Sequence, residues 1–93
     1  MLKLDPSTQF KKDLKKIQKQ GKDKEKLDNI VELLQKEIPL EKKHRDHDLI
    51  GNWKGYRECH ITPDWLLIYK VCEKSIRLLR LARTGSHSEL FKS

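Results

Sequence analysis

The sequence predicts an α+β fold: a short N-terminal strand, a two-helix hairpin, then a three-strand antiparallel meander with the helices on one face of the sheet. Three observations lead there. Apolar residues recur at helical spacing up to Ile38, dense apolar runs take over after Gly55, and the breaks between those runs are short enough for hairpins. The 93 residues make one domain, 1–93, with a single modest core.

Met1–Leu4 reads as the strand. Asp5-Pro6-Ser7 then resets the chain, since proline suits a first helical turn and Asp5 or Ser7 can cap it. Phe10, Leu14 and Ile17 form one apolar stripe on a lysine-rich helix, and Gly21 is a natural stop. Asp23 can cap the second helix, whose stripe is Leu27, Ile30, Val31, Leu34 and Ile38. Pro39 ends it, because the residue before a proline avoids helical geometry. Residues 40–55 are polar and charged and read as a loop. Tyr56–Ile61, Trp65–Cys72 and Ser75–Thr84 read as strands.

Lys and Arg number 21 against 14 Asp and Glu, a net charge of +7. The excess lies in residues 1–26 (nine basic, four acidic) and 51–93 (eight basic, four acidic). Such a surface suits a polyanionic partner, or is simply solvated. Lys3, Asp5 and Pro6 interrupt any apolar stretch at the start, and no run approaches a membrane span, so a soluble, cytoplasmic protein is expected. Cys59 and Cys72 form no CxxC, which points to a reducing compartment.

The hairpins allow a register to be written. With Glu73-Lys74 as a two-residue turn, Cys72 faces Ser75, Ile68 faces Leu79, Leu66 faces Leu81 and Asp64 faces Arg83. With Thr62–Asp64 as a three-residue loop, Ile61 faces Trp65 and Cys59 faces Leu67. Strand alternation then sorts the faces. Cys59, Ile61, Trp65, Leu67, Tyr69, Val71, Ile76, Leu78 and Ala82 should receive the helices. Glu58, His60, Leu66, Ile68, Arg77, Leu79, Leu81 and Arg83 should occupy the other face, with Asp64 at its end.

His60, Asp64 and Arg83 should therefore converge. A histidine, a carboxylate and an arginine are the parts needed to cut an RNA phosphodiester: a base for the 2′-hydroxyl proton, a cation for the phosphorus-centred transition state, and an acid for the leaving oxygen. The alternative is an Asp64–Arg83 ion pair that ties down a strand end. His87 and Phe91, four residues apart, project together if Ser86–Phe91 makes a helical turn. The pair would hold a nucleotide, or Phe91 would anchor the tail. His44 and His47 are spaced so that Cys59 or His60 would complete a metal site, but no paired motif of the structural-zinc kind is present.

The stretch from Asp46 to Lys70 contains D-H-x-L, W-K-G-x-R and H-x-x-P-D-W, and Leu79 to Phe91 contains R-T-G-x-H. These motifs closely resemble the YafQ branch of the RelE/ParE toxin superfamily. The resemblance implies the toxin of a bacterial type II toxin–antitoxin pair. Such a toxin cuts mRNA in the ribosomal A site, needs no metal or other cofactor, and leaves a cyclic phosphate. Carried over, the acid/base set is His47, His60, Asp64 and His87, with Arg83 stabilising the transition state. Trp65 and Phe91 would stack or position mRNA, and Lys54 and Arg57 would bind it. The expected partners are a cognate antitoxin, the ribosome and mRNA. In this light Leu66, Ile68, Leu79 and Leu81 are expected to form an exposed strip that an antitoxin segment covers, or else to be partly core. A gyrase-inhibiting toxin of the same superfamily and a noncatalytic RNA-binding module are the competing functions.

Overall fold

The computed structural model describes residues 1–73 and 75–91. Its elements are β1 (Lys3–Pro6), α1 (Thr8–Lys19), α2 (Lys24–Gln35), β2 (His47–Asp48), β3 (Arg57–Thr62), β4 (Trp65–Glu73), β5 (Arg77–Gly85) and α3 (His87–Leu90). The predicted strand, helical hairpin and meander all form. The five strands make one sheet in the order β1-β5-β4-β3-β2, with β1 parallel to β5 and the other pairs antiparallel. The segment read as loop contains two short 3-10 turns and β2, an edge strand of two residues.

Local chemistry sets the helix ends. The Ser7 hydroxyl accepts from the Phe10 N–H at 2.9 Å and donates to the Ala82 carbonyl at 2.8 Å. One side chain thus caps α1 and fastens it to β5. Asp23 caps α2 by accepting from the Glu25 N–H. α2 ends at Gln35, before Pro39: Glu37 turns left-handed at φ 58° and the Ile38 N–H closes back on the Leu33 carbonyl, so the buried stripe stops at Leu34. Ile38 itself is exposed.

The register differs from the expectation in both hairpins. In the first, Cys59 faces Leu67 as expected, but an irregularity follows His60, so Thr62 rather than Ile61 pairs with Trp65. In the second, Cys72 pairs with Leu78 rather than Ser75, and Glu73 with Arg77. Lys74, on which the two-residue turn was placed, lies outside the described residues. A bulge between Ile68 and Tyr69 then leaves Ala82 without an opposite partner. Up to Leu81 the pairing is displaced by three residues, an odd number that exchanges the faces of that part of β5, and past the bulge by four. Leu79 and Leu81 bury against the helices, and Ile76 is 59% exposed instead. This register also places Arg77 on Glu37 and Glu73, and Arg80 on Asp5.

The expected exposed strip does not exist. Leu79 and Leu81 belong to the core that β3, β4 and β5 share with α1 and α2. Leu66 and Ile68 are fully buried in a second cluster with Ala82 and Leu90, packed by Leu49, Trp53, Tyr56 and Phe91. The polar loop and α3 cover the face that seemed free.

Trimming Ile68→Val should therefore lower stability by about 0.5–1.5 kcal/mol in urea unfolding, the usual cost of one buried methyl. Unchanged stability would mean that this face of the sheet is not a packed core.

Candidate active site

Cross-strand pairing assembles the candidate residues in two rows. His47 pairs with Glu58, Glu58 with Ile68, and Ile68 with Arg83. In the next row, His60 pairs with Leu66 and Leu66 with Gly85, two residues before His87. At about 4.8 Å per strand, the first row spans about 14 Å of backbone from β2 to β5. His47, His60, Arg83 and the start of α3 thus share one end of the sheet.

Two imidazoles flank one carboxylate. Glu58 Oε1 lies 3.5 Å from His60 Nε2 and 3.7 Å from His47 Nε2. The Glu58 side chain is buried, His60 is mostly buried and His47 is half exposed. His47 Nδ1 is 2.7 Å from the Arg45 carbonyl, and His60 Nδ1 is 3.3 Å from the Pro63 carbonyl. A carbonyl only accepts, so Nδ1 carries the proton in both rings. Nε2 of each ring faces the Glu58 carboxylate, the atom through which either ring would exchange a proton with a substrate.

A second network holds the strand that carries His47. Arg45 has a left-handed backbone, φ 47°. Asp46 Oδ1 accepts from the Tyr69 hydroxyl at 2.5 Å and from Arg57 Nε at 3.2 Å, while Arg57 Nη1 donates to Asp48 at 2.7 Å. Burial works against the charge of Arg57, but its contacts with Tyr69 and Asp46 outweigh this and raise its pKa. Arg57 was expected to bind RNA; here two carboxylates occupy it, and it braces β2 against β3. Lys54 is exposed.

Arg83 does not meet Asp64. Gly85, not Arg83, stands in the row beside the β3–β4 turn, because the bulge and the longer register shift move Arg83 along the strand. Asp64 is exposed on that turn, and among the described residues it makes no ion pair. The partner of Arg83 is Asp13 of α1: Nε reaches Oδ2 and Nη2 reaches Oδ1, both at 3.0 Å. The bonds to Asp13 outweigh burial and raise the Arg83 pKa. Trp65 is 2% exposed, with Nε1 donating to Thr84 Oγ1 at 2.9 Å and Lys22 Nζ 5.9 Å from its ring centre. That ring has no open face for a base. Its place is structural, on the helix-covered face, where it supports the residue next to Arg83.

α3 presents the remaining pair. Ser86 and Glu89 form a capping box, each accepting from the other's N–H. His87 is exposed, and its ring lies 5.0 Å from that of Phe91, tilted by 39°. Leu90 is buried beneath. Glu89 also joins α3 to α1, through Lys16 at 2.7 Å and Gln20 at 3.2 Å. A cavity of about 340 Å³ opens there, lined by Asp13, Lys16, Arg83, Thr84, Ser88 and Glu89 among others.

Two residues of the site were not singled out from the sequence: Glu58 and Asp13. Glu58 lies two positions before His60 on a strand, which puts both on one face, and that signal was available. Asp13 lies three residues after Phe10 and four before Ile17, a polar residue on the buried side of an apolar stripe. Among the described residues, no group of three or more His, Cys, Asp or Glu is placed to hold a metal ion.

A family model described as "Bacterial toxin of type II toxin-antitoxin system, YafQ" matches residues 2–92. The Escherichia coli protein "mRNA interferase toxin YafQ" is 49% identical over 86 residues, which cover 91% of this chain and 90% of that one. The crystal structure of the Escherichia coli DinJ-YafQ complex superposes with a TM-score of 0.86 at 46% identity, over 98% of this chain and 99% of that one. A metal-bound toxin from Helicobacter pylori superposes with a TM-score of 0.90 at 47% identity, over 98% and 100% of the two chains.

The α3 anchor carries a pH signature. Hydrogen bonds from Lys16 and Ser86 lower the Glu89 carboxyl from the usual 4.5 to about 2. A depressed pKa means that the anchor is complete above pH 4.5 and is lost as pH falls through about 2. In an NMR acid titration, Glu89 should titrate near pH 2, and exchange protection at Leu90 should fall over the same range. A Glu89 midpoint at 4.5 would show that α1 does not hold α3.

Proposed function

The chain belongs to the YafQ family, the toxins of bacterial type II toxin–antitoxin systems, and we propose how it acts as an mRNA interferase: it cuts mRNA on the ribosome by proton transfer between histidines, with Arg83 as the cation. The observation that carries this reading is the row His47–Glu58–Ile68–Arg83 with His60 and α3 beside it. The row gathers a base, a cation and an exposed histidine at one end of the sheet.

In the proposed step, His60 Nε2 takes the proton from an RNA 2′-hydroxyl. The oxygen forms its bond to the adjacent phosphorus while the bond to the 5′-oxygen breaks, and His87 protonates that leaving oxygen. The products are a 2′,3′-cyclic phosphate and a 5′-hydroxyl. Glu58, 3.5 Å from His60 Nε2, stabilises the positive charge that the imidazole gains. His47 stands on the other side of Glu58 and shares that role. Arg83 offers N–H donors to the non-bridging oxygens as charge accumulates there. Phe91 stacks a base beside His87. Asp64, exposed next to Pro63, orients the RNA that reaches His60, and Lys54 contacts its phosphates. The scheme draws on no metal ion. The site of action is the cytoplasm, where the ribosome is, and the partner that restrains the toxin is a cognate antitoxin, as DinJ is for the Escherichia coli protein.

Primer extension on an mRNA incubated with the protein, with and without ribosomes, tests the reading. Cuts are expected only with ribosomes, to persist when the toxin alone is treated with EDTA and desalted before mixing, and to fall by about 100-fold or more in His60→Ala and in His87→Ala, the usual effect of losing a general acid or base. Cuts that persist in both variants would remove the acid/base assignment. Loss of cleavage by the EDTA-treated toxin, restored by adding back a metal ion, would make a metal part of the reaction. Blocked replication without any cut would move the function to gyrase inhibition.

A further inference from the structure

α1 enters the reaction through a residue that touches no substrate. Among the described residues, Asp13 and Glu58 are the buried charged groups. A carboxylate out of water is costly unless it is fully hydrogen-bonded. That of Asp13 is: it accepts from Arg83 Nε and Nη2 at 3.0 Å each, from the Thr84 N–H at 3.2 Å and from Gln9 Nε2 at 3.0 Å. Resting on the role of Arg83 given above, we propose that Asp13 is the positioning residue of the site, which sets the plane of the Arg83 guanidinium and so aims its free edge at the scissile phosphate.

The argument turns on which edge of the guanidinium is taken. A guanidinium has five N–H donors in a fixed plane. Asp13 occupies the side edge, the Nε–H and one N–H of Nη2. The end edge keeps one N–H each from Nη1 and Nη2, parallel and spaced to meet two oxygens of a phosphate. Among the described residues, Nη1 has no hydrogen-bond partner. Had the carboxylate taken the end edge, it would compete with the phosphate. Taking the side edge, it orients without competing.

The contact is also anchored on both sides. Thr84, whose N–H binds Asp13, is held by Trp65 Nε1 and donates its own hydroxyl to the Leu66 carbonyl at 2.8 Å. Leu66 is the residue that pairs with His60. A continuous chain of hydrogen bonds and one strand pair therefore links Asp13 to the general base. Lys16 and Gln20, one and two turns further along α1, hold Glu89 of α3. The same helix thus sets the arginine and the element that carries His87.

The test compares cleavage of ribosome-bound mRNA by the wild type, Asp13→Asn, Asp13→Ala, Arg83→Ala and the double variant Asp13→Ala with Arg83→Ala. Asp13→Ala is expected to lower kcat by about 10- to 100-fold, the scale of a misplaced catalytic group. KM should stay within about twofold, because the lost interaction belongs to the transition state. Asp13→Asn, which keeps one oxygen for the Thr84 N–H, should fall between. In the Arg83→Ala background, Asp13→Ala should cost nothing more. NMR of the Arg83 Nε–H should show a slowly exchanging signal that Asp13→Asn abolishes while the fold is retained, so the proposal remains testable if Asp13→Ala does not fold. An equal loss from Asp13→Ala with and without Arg83 would mean a purely structural role and overturn the proposal. So would a faster Asp13→Ala enzyme, which would mark Asp13 as a mask. An inactive Arg83→Ala beside a fully active Asp13→Ala and Asp13→Asn would overturn this proposal alone. An active Arg83→Ala would overturn the function of Arg83 first, and this proposal with it.

Discussion

The structure depends on the burial of β4 on both of its faces. Trp65, Leu66, Leu67, Ile68 and Tyr69 are consecutive and all buried. Strand geometry sends alternate side chains to opposite sides, so such a run needs cover above and below. α1 and α2 cover Trp65, Leu67 and Tyr69. Leu66 and Ile68 require a second layer, and among the described residues the 49–56 loop and the C-terminal turn supply it. Leu90 enters that layer and brings α3 across the sheet. His87 and Phe91 sit on α3 and reach the active end for that reason. Packing of Leu90 and the polar contacts of Glu89 with Lys16 and Gln20 together place His87, the proposed acid.

The buried polar residues obey the same economy of place. Asp13, Glu58 and Thr84 are the buried polar or charged side chains of the described residues, and none has an unsatisfied buried atom. All three stand at the site. Glu58 lies between the two histidines, Asp13 on the arginine, and Thr84 between Asp13 and Trp65. Asp13 and Thr84 meet the cost of desolvation with hydrogen bonds, and Glu58 with the two imidazoles beside it. A buried polar group of this kind contributes little net stability, and in the proposal above its value lies in fixing the neighbour it touches.

Charge is distributed to match. Several carboxylates are spent inside the molecule or on arginines: Asp5 on Arg80, Asp13 on Arg83, Asp46 and Asp48 on Arg57, and Glu37 on Arg77. Lys11, Lys12, Lys15 and Lys19 of α1 stay exposed, without an ion pair among the described residues. Part of the net positive charge therefore lies on the helix whose Asp13 holds Arg83, a distribution that suits a polyanion approaching that end. The ion pairs consume arginines whose shape suits fixed contacts, and leave lysines as the mobile surface charge.

The sequence alone determined the local elements. Ser7 and Asp23 cap the helices because their side chains answer backbone N–H groups a few residues away, and apolar period sets which face of each helix is buried. Motif resemblance identified His47, His60, Arg83 and His87, and the spacing of His87 and Phe91 placed them on one side of a turn. Only the tertiary structure decided the register. Two irregularities, after His60 and between Ile68 and Tyr69, change the cross-strand partners, and the β4–β5 pairing that starts at Glu73 and Arg77 turns Leu79 and Leu81 towards helices far away in the chain. The same cause hid the partner of Arg83. Asp64 is near it on paper, whereas Asp13 is 70 residues away, and such a contact exists only once α1 has docked on β5. Hydrogen bonds between neighbours in sequence can be read from residue types. A bulge or a distant ion pair is the outcome of a competition among whole packings, and no local pattern records which packing wins.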